Sequence, residues 1–588
     1  MSDPALPAGW PAMSIPQAHA LLTQPGSPLE VEERDIGGIP TKVWKNAPPS
    51  LRAIVEASRA HGEKIYLVYE DERVSYEAFY RAVSNLALAM SAEGVGKGDR
   101  VAVIMRNLPE WVAAFYAAAS LGAVVTPLNA WWTGPELEYG LTDSGTKVAV
   151  VDAERYERLA EHLANCPELT RVYVSRQTAE EIAHPLVTKL EDVIGAPNDW
   201  GALPDVGLPP VEIAPDDDAT IFYTSGTTGK PKGALATQRA VNTAVMTGAA
   251  AAARNFLRRG EAPPQPDPNA PQRSSLLSVP FFHVTGCMAV LNPSTFGGAK
   301  LVMMRKWDPI RAFELIEREK IQSAGGVPTI AWQLIEHPAR RNYDLSSLES
   351  VAYGGAPSAP ELVRRLRETF PNSQPGQGWG MTETCATVTS NGAEDYVNRP
   401  DSCGPAAPVA ALEIRDPEDG RTVLAAGVVG ELWSFGPMNC KGYWNKPEAT
   451  AQTYVDGWVR TGDLARLDEE GFCFIIDRAK DMLIRGGENI YCVEVENVLY
   501  DHPAVMDAAV VGKPHRTLGE EPAAVVTLKP GAEATEAELR AHVAERLAAF
   551  KVPVEILIRH ETLPRNPNGK ILKSELKKLF VEEQATPA

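Results

Sequence analysis

The sequence predicts an α/β protein, with a large N-terminal domain of βα-layered subdomains, a smaller β-rich subdomain and a small α+β C-terminal domain. Three observations predict it. Apolar segments of helical and strand period alternate from about residue 50 to 210 and resume from 274. After about residue 405 the chain turns to short strands and turns, such as ALEIRD, GELWSFG, GWVRTGD and GFCFIID. Beyond RAKD, residues 478–481, lies a block with a periodicity of its own. Alternating βα units imply parallel sheets with helices on their faces, and 588 residues are too many for one ordinary domain.

Taken in order, LRAIVEASRAHG reads as helix, KIYLVYE as strand and SYEAFYRAVSNLALAMSAEG as helix. RVAVIMR, PEWVAAFYAAASLG and AVVTPL then read as strand, helix and strand. The window 111–128 is the most apolar stretch, yet it is short and Ala-rich, and Gly122 interrupts it. It reads as a buried helix running into a buried strand, not a membrane span. SSLLSVPFF, AKLVMM, PIRAFELIEREK, SAGGVP and LESVAYGG repeat the rhythm. GEAPPQPDPNAPQ, residues 260–272, reads as a surface excursion. In the last block VEVENVLYDH is helical, MDAAVVG, AAVVTLK and VEILIR are strand-like, and TEAELRAHVAERLAAF is a helix opened by a Thr535/Glu538 capping box. The domain reading is residues 1–45 as an N-terminal extension, 46–479 as the main domain and 480–588 as the C-terminal domain.

Composition narrows the function. A formal charge of −19 weighs against a nucleic-acid binder. Seven cysteines without a C-x-x-C pair weigh against a disulfide framework or a cysteine-rich zinc site. The first residues show no basic stretch followed by an apolar core, so a cytoplasmic protein is expected.

Four stretches carry chemistry. YTSGTTGKPKG, residues 223–233, offers hydroxyls and glycine N–H groups that can wrap phosphate oxygens. It fails the Gly-x4-Gly-Lys-Ser/Thr template at both ends, because Thr224 stands where the first Gly belongs and Pro231 follows Lys230. GWGMTE, residues 378–383, gathers Trp379, which can stack on a base, Thr382 for a phosphate, and Glu383, an oxygen ligand for Mg²⁺. RTGD ends in Asp463, which can accept two ribose hydroxyls or simply close an Asx turn. PRNPNGKILK holds a tight-turn signal that presents Lys570 at a loop tip.

In this order the stretches resemble the adenylate-forming superfamily of acyl-CoA synthetases, aryl-CoA ligases, peptide-synthetase adenylation domains and beetle luciferases. YTSGTTGKPKG, GWGMTE, RTGD, DRAKDMLIRGGENI and PNGK match its motifs, so the resemblance spans about residues 50 to 580. It implies two half-reactions: a carboxylate attacks the α-phosphate of MgATP, and a thiol, usually that of coenzyme A, then displaces AMP. Thr224, Ser225, Gly226, Thr227, Thr228 and Lys232 match the phosphate loop, Thr382 the α-phosphate contact and Glu383 the Mg²⁺ ligand. Trp379, with Gly380 after it, takes the place of an aromatic, often Tyr, beside the adenine, and Gly354, Gly355 and Ala356 bracket the base. Asp463 and Arg478 match the ribose contacts, and Lys570 the lysine bridging carboxylate and α-phosphate. Lys480 matches the hinge about which a mobile C-terminal domain swings, replacing Lys570 by the segment that contains Gly486 and Gly487.

His283, in PFFHVTGCM, matches the residue gating the carboxylate. No acid stands nearby to pair with an ammonium group, which favours an uncharged, mostly apolar acid: fatty, aryl or alicyclic. Gly286 and Gly326 permit depth, and Met288 and Met381 permit adaptable walls. ATP, Mg²⁺ and coenzyme A are the expected cofactors, without nucleic acid or a transmembrane segment, and monomer and homodimer both fit. A carrier-protein phosphopantetheine as acceptor and a non-catalytic nucleotide-binding regulator are the alternative readings.

Overall fold

The computed structural model describes residues 9–177, 184–224, 230–265, 267, 270–355, 358–479, 481–485, 488–566 and 569–580. The predicted α/β class holds. Two eight-stranded sheets form the large part of the molecule. The first runs Gly442–Tyr443, Lys232–Thr237, Asp218–Thr224, Val124–Pro127, Arg100–Ile104, Thr146–Asp152, Arg171–Ser175 and Val187–Lys189 in spatial order. The second runs Thr389–Gly392, Gln374–Trp379, Ser350–Gly354, Ser323–Gly326, Ser274–Leu277, Lys300–Met303, Ile65–Tyr69 and Glu72–Ser75. Most of their strands pair in parallel, as βα alternation requires, and antiparallel pairs close both edges of the second sheet and one edge of the first, whose other edge is parallel. A third, smaller antiparallel sheet carries Trp458–Leu467 and Phe472–Arg478. A fourth, built on the hairpin Val505–His515/Gly519–Leu528, forms the C-terminal unit with its own apolar core.

Side chains cap the two long helices that pack on these sheets. Tyr76–Ala92 is capped by Ser75, whose hydroxyl accepts from Ala78 N–H at 3.2 Å, and Gln238–Arg258 by Thr237, which accepts from Ala240 N–H at 3.1 Å. Every residue of Pro109–Ser120 and of Val124–Pro127 is buried, as expected of the most apolar window. Among the described residues no helix is long and apolar enough to cross a membrane. One helix is shorter than its pattern. The Thr535/Glu538 capping box forms, but the helix runs only Glu536–Ala544. Beyond it Phe550 packs on the unit's core and Lys551 Nζ reaches Glu494 at 2.6 Å, so tertiary contacts override the helical period.

The segment before residue 45 carries no motif, yet it is built in. The helix Ile15–Leu22 packs Ile15 against Phe472 and Phe474 of the third sheet. Arg258, at the end of its long helix, donates to Met13 O at 2.7 Å and lies 5.3 Å from the Trp10 ring. The same guanidinium pairs with Asp395 at 2.6 Å, both side chains 1% exposed. Such a buried pair is strongly destabilised when one partner is lost.

The core also fixes the segment around His283. Trp111 is fully buried and stacks on Phe115 at 5.1 Å and on Phe281 at 4.8 Å, so Pro109–Ser120 grips the residues just before His283. Trp111→Ala is expected to destabilise the large domain by about 3–5 kcal/mol and to lower its thermal midpoint by several degrees. An unchanged midpoint in differential scanning calorimetry would contradict this packing.

Candidate active site

The stretch expected to bind phosphate leaves one strand and enters another. Thr224 ends one strand, Lys232 begins the next, and the two pair directly in antiparallel register. Thr224 Oγ1 donates to Lys232 O at 3.3 Å. The expected loop residues Ser225, Gly226, Thr227 and Thr228 lie outside the described residues. Lys232 Nζ sits 4.5 Å from the centroid of the Tyr443 ring, and Lys230 Nζ lies 4.8 Å from that of Tyr139. Aromatic faces hold both ammonium groups near the base of this stretch.

Glu383 lies beside this base and is 7% exposed. Tyr443 O–H donates to Glu383 Oε1 at 2.6 Å, and Cys440 N–H donates to Glu383 O at 2.9 Å. Oε2 accepts from no donor among the described residues, so the carboxylate is oriented and keeps one oxygen for a cation. Among the described residues no group of three or more His, Cys, Asp or Glu is arranged to hold a metal ion. A metal here would therefore rest on Glu383 and on oxygens of a bound phosphate, the manner in which Mg²⁺ is commonly held. Beside Thr382–Thr384 the backbone folds back tightly: a Cβ on Gly380 would lie 1.3 Å from Ala386 O, so only glycine fits.

Trp379 stands at the end of its strand, half-buried, with Gly378 paired to Gly354 on the neighbouring strand. Its indole Nε1–H donates to Asp463 Oδ2 at 2.8 Å, while Arg478 Nε pairs with Asp463 Oδ1 at 3.1 Å. Asp463 is 5% exposed, at a bulge where its strand pairs with that of Arg478. Two predicted residues, Trp379 and Arg478, thus converge on the carboxylate of a third, Asp463, and each of its oxygens has a lone pair left for a ligand. Gly355 follows the end of the Ser350–Gly354 strand; Ala356 lies outside the described residues.

His283 and Lys570 come together from opposite parts of the chain. The His283 ring nitrogen Nε2 is buried and has no hydrogen-bond partner among the described residues. Burial first, and the Lys570 charge second, push its pKa down to about 3, so the imidazole is neutral at physiological pH. Lys570 sits on a turn in which its N–H donates to Asn566 Oδ1 at 3.0 Å and Gly569 N–H donates to Asn566 O at 2.9 Å. The turn presses on the large domain, where a Cβ on Gly569 would lie 2.8 Å from Val327 Cγ2. The hinge residue Lys480, and Gly486 and Gly487 between the paired Arg485 and Glu488, lie outside the described residues.

Two features escaped the sequence reading. The strand Lys232–Thr237 is Ala- and Gly-rich and lacks the β-branched signal. Tyr443, which orients Glu383, lies in KGYWNK, a stretch with no spacing that points to a site. Met288 is placed differently from its expected role as an adaptable wall: it is fully buried, and its sulfur accepts from Asn292 Nδ2 at 3.3 Å.

The family model of AMP-binding enzymes matches residues 54–444, and that of the AMP-binding enzyme C-terminal domain matches residues 494–570. A long-chain-fatty-acid–CoA ligase of Mycobacterium tuberculosis is 33% identical over 540 residues, covering 90% of this chain and 96% of the relative. A feruloyl-CoA synthase of Amycolatopsis sp is 34% identical over 512 residues, covering 86% of this chain and 94% of the relative. The crystal structure of an anthranilate CoA ligase in complex with anthranoyl-AMP is 25% identical, with a TM-score of 0.80 over 91% of this chain and 98% of that one. The chain therefore belongs to the AMP-binding enzyme family, as an adenylate-forming acyl-CoA synthetase or ligase.

Proposed function

We propose that the protein activates an uncharged, mostly apolar carboxylic acid with MgATP and transfers the acyl group to free coenzyme A. The observation that carries the reading is the meeting of Lys570, from the C-terminal unit, with His283 in the large domain, beside the Glu383 and Asp463 constellations. Carboxylate and α-phosphate repel, so positive charge must be fixed where they meet. Lys570 supplies it, and its protonated ammonium bridges both anions. His283, held neutral, faces the carboxylate without adding a charge. Thr382 and the phosphate loop hold the phosphates, and Lys232 stabilises the leaving pyrophosphate. Asp463 accepts the ribose hydroxyls, with Arg478 and Trp379 fixing its orientation. Mg²⁺, when bound at Glu383, offsets phosphate charge.

The acyl chain runs past the segment Thr285–Leu291. There Thr285, Ala289 and Val290 are half-buried, whereas Cys287 and Met288 belong to the core. Ala289 and Val290, with Met381, are the apolar side chains proposed to line the path of the acyl chain. The names of the relatives, a long-chain fatty acid ligase and a feruloyl-CoA synthase, support an apolar acid, fatty or aryl. The C-terminal unit swings about Lys480 between the half-reactions, bringing the segment that contains Gly486 and Gly487 to the site in place of Lys570. The protein works in the cytoplasm.

Two outcomes check this. Lys570→Ala is expected to lower acid-dependent pyrophosphate release at least about 100-fold, while leaving thioester formation from a supplied acyl-adenylate largely intact. Equal loss in both half-reactions, with the fold unchanged, would contradict the two arrangements. In a panel of acids with free coenzyme A, AMP and the acyl-CoA are expected from medium- or long-chain and aryl acids. Adenylate formation without acyl-CoA would point to a carrier protein as acceptor, and no pyrophosphate release with any acid to a non-catalytic protein.

A further inference from the structure

The strand Phe472–Arg478 is the last of the large part, and its penultimate residue is buried: Asp477 is 2% exposed. Its carboxylate reaches across to the C-terminal unit. Oδ2 accepts the backbone N–H of Cys492, the first residue of the helix Cys492–Tyr500. That helix has no side-chain cap of its own at Tyr491. Asp477 therefore supplies from one unit the acceptor that a helix N-terminus in the other lacks. The other oxygen, Oδ1, accepts Arg478 N–H at 2.8 Å and so also steadies the residue that holds Asp463.

The surroundings of Asp477 carry one carboxylate too many. Within the C-terminal unit Lys573 Nζ already pairs with Glu496 Oε1 at 2.8 Å, and Glu496 is 8% exposed. Those two charges cancel without Asp477. Seating the helix on the strand brings Asp477 into the field of both Lys573 and Glu496. Around it stand Arg478 on its own strand, Cys492 and Glu496 on the helix, Lys573 from the helix Lys573–Lys578, and Asp481 in the connecting turn. Cys492 stays a neutral thiol, since burial raises its pKa well above the usual range.

We infer that Asp477 is a positioning residue for the first half-reaction: by capping the helix Cys492–Tyr500 across the seam it seats the C-terminal unit and Lys570, and its surplus charge eases release. The inference rests on the two-arrangement reading above. Burial, with Glu496 adding to it and Lys573 opposing it, pushes the Asp477 pKa up to about 6 in the seated arrangement. Released into water, the carboxylate has its ordinary value of about 3.9. The seated form therefore binds the proton more tightly. The extra preference for seating is full below about pH 4 and is lost as pH rises through about 6. At neutral pH the cap remains while the crowded carboxylates favour release.

The test measures pyrophosphate release without coenzyme A, and thioester formation from a supplied acyl-adenylate, between pH 5.5 and 8. In the wild type the ratio of the first to the second is expected to fall several-fold across this range. Asp477→Asn keeps the acceptor and removes the charge, so the ratio is expected to be flat with pH. Asp477→Ala removes the cap and is expected to lower pyrophosphate release about tenfold, with thioester formation within twofold of wild type. Rescue of the first half-reaction by Asp477→Asn would separate the cap from a general loss of folding. The inference is overturned if Asp477→Ala lowers both half-reactions equally, or if the wild-type pH trend survives in Asp477→Asn. Lys570→Ala, assayed alongside, keeps the cases apart. Selective loss there with no selectivity in Asp477→Ala overturns the cap alone, and unselective loss there overturns the two arrangements.

Discussion

Two anions must touch for this chemistry to begin, and everything in the site answers that repulsion. An acid carboxylate and a nucleotide phosphate approach only where fixed positive charge and oriented donors are already in place. In the proposed reaction Lys570 is the cation at their meeting point, and it stands on a turn of a separate unit. The imidazole of His283 beside it is neutral, because burial and the lysine charge both disfavour a second cation. The turn is seated by shape as well as charge: Gly569 packs so closely on Val327 that a side chain at that position would collide. A cation delivered by a separate unit can also be withdrawn, which is what a second, thiol-dependent step at the same carbonyl requires.

The groups of the large domain are held by neighbours of complementary chemistry. Glu383 is fixed by the Tyr443 hydroxyl, and the ring of the same tyrosine lies 4.5 Å from Lys232 Nζ. One residue thus links the carboxylate suited to a metal and the lysine suited to pyrophosphate. Asp463 is fixed in the same way, by the Trp379 N–H on one oxygen and Arg478 on the other. Each acid keeps an acceptor for ligand while its orientation is set beforehand, so little conformational freedom remains to be lost on binding. Trp379 matters here through its N–H as much as through the face of its ring.

Much of this was legible in the sequence, for physical reasons. The βα rhythm follows from burial on both faces of parallel strands, and the wholly buried Pro109–Ser120 and Val124–Pro127 are its clearest case. Trp379, Glu383, Asp463 and Lys570 fall in motifs whose residue types announce their chemistry. What stayed hidden depends on long-range geometry. The strand Lys232–Thr237 is made of small residues, and its partners are fixed only by the sheet. Tyr443 and Asp477 act on groups that meet them only in the folded chain. The anchoring of Met13 and Trp10 by Arg258 joins segments some 245 residues apart, beyond the reach of any local pattern.

The most direct test fixes the seated arrangement covalently. A Cβ on Gly569 would lie 3.6 Å from Val327 Cβ, within the spacing of about 3.5–4.5 Å that a disulfide spans. The seven native cysteines are all buried and leave little background. In the Val327→Cys/Gly569→Cys variant, oxidised and supplied with acid, MgATP and coenzyme A, one equivalent of acyl-adenylate and pyrophosphate should form. Acyl-CoA should then appear only after the disulfide is reduced. Acyl-CoA turnover at the wild-type rate with the disulfide intact would contradict the account.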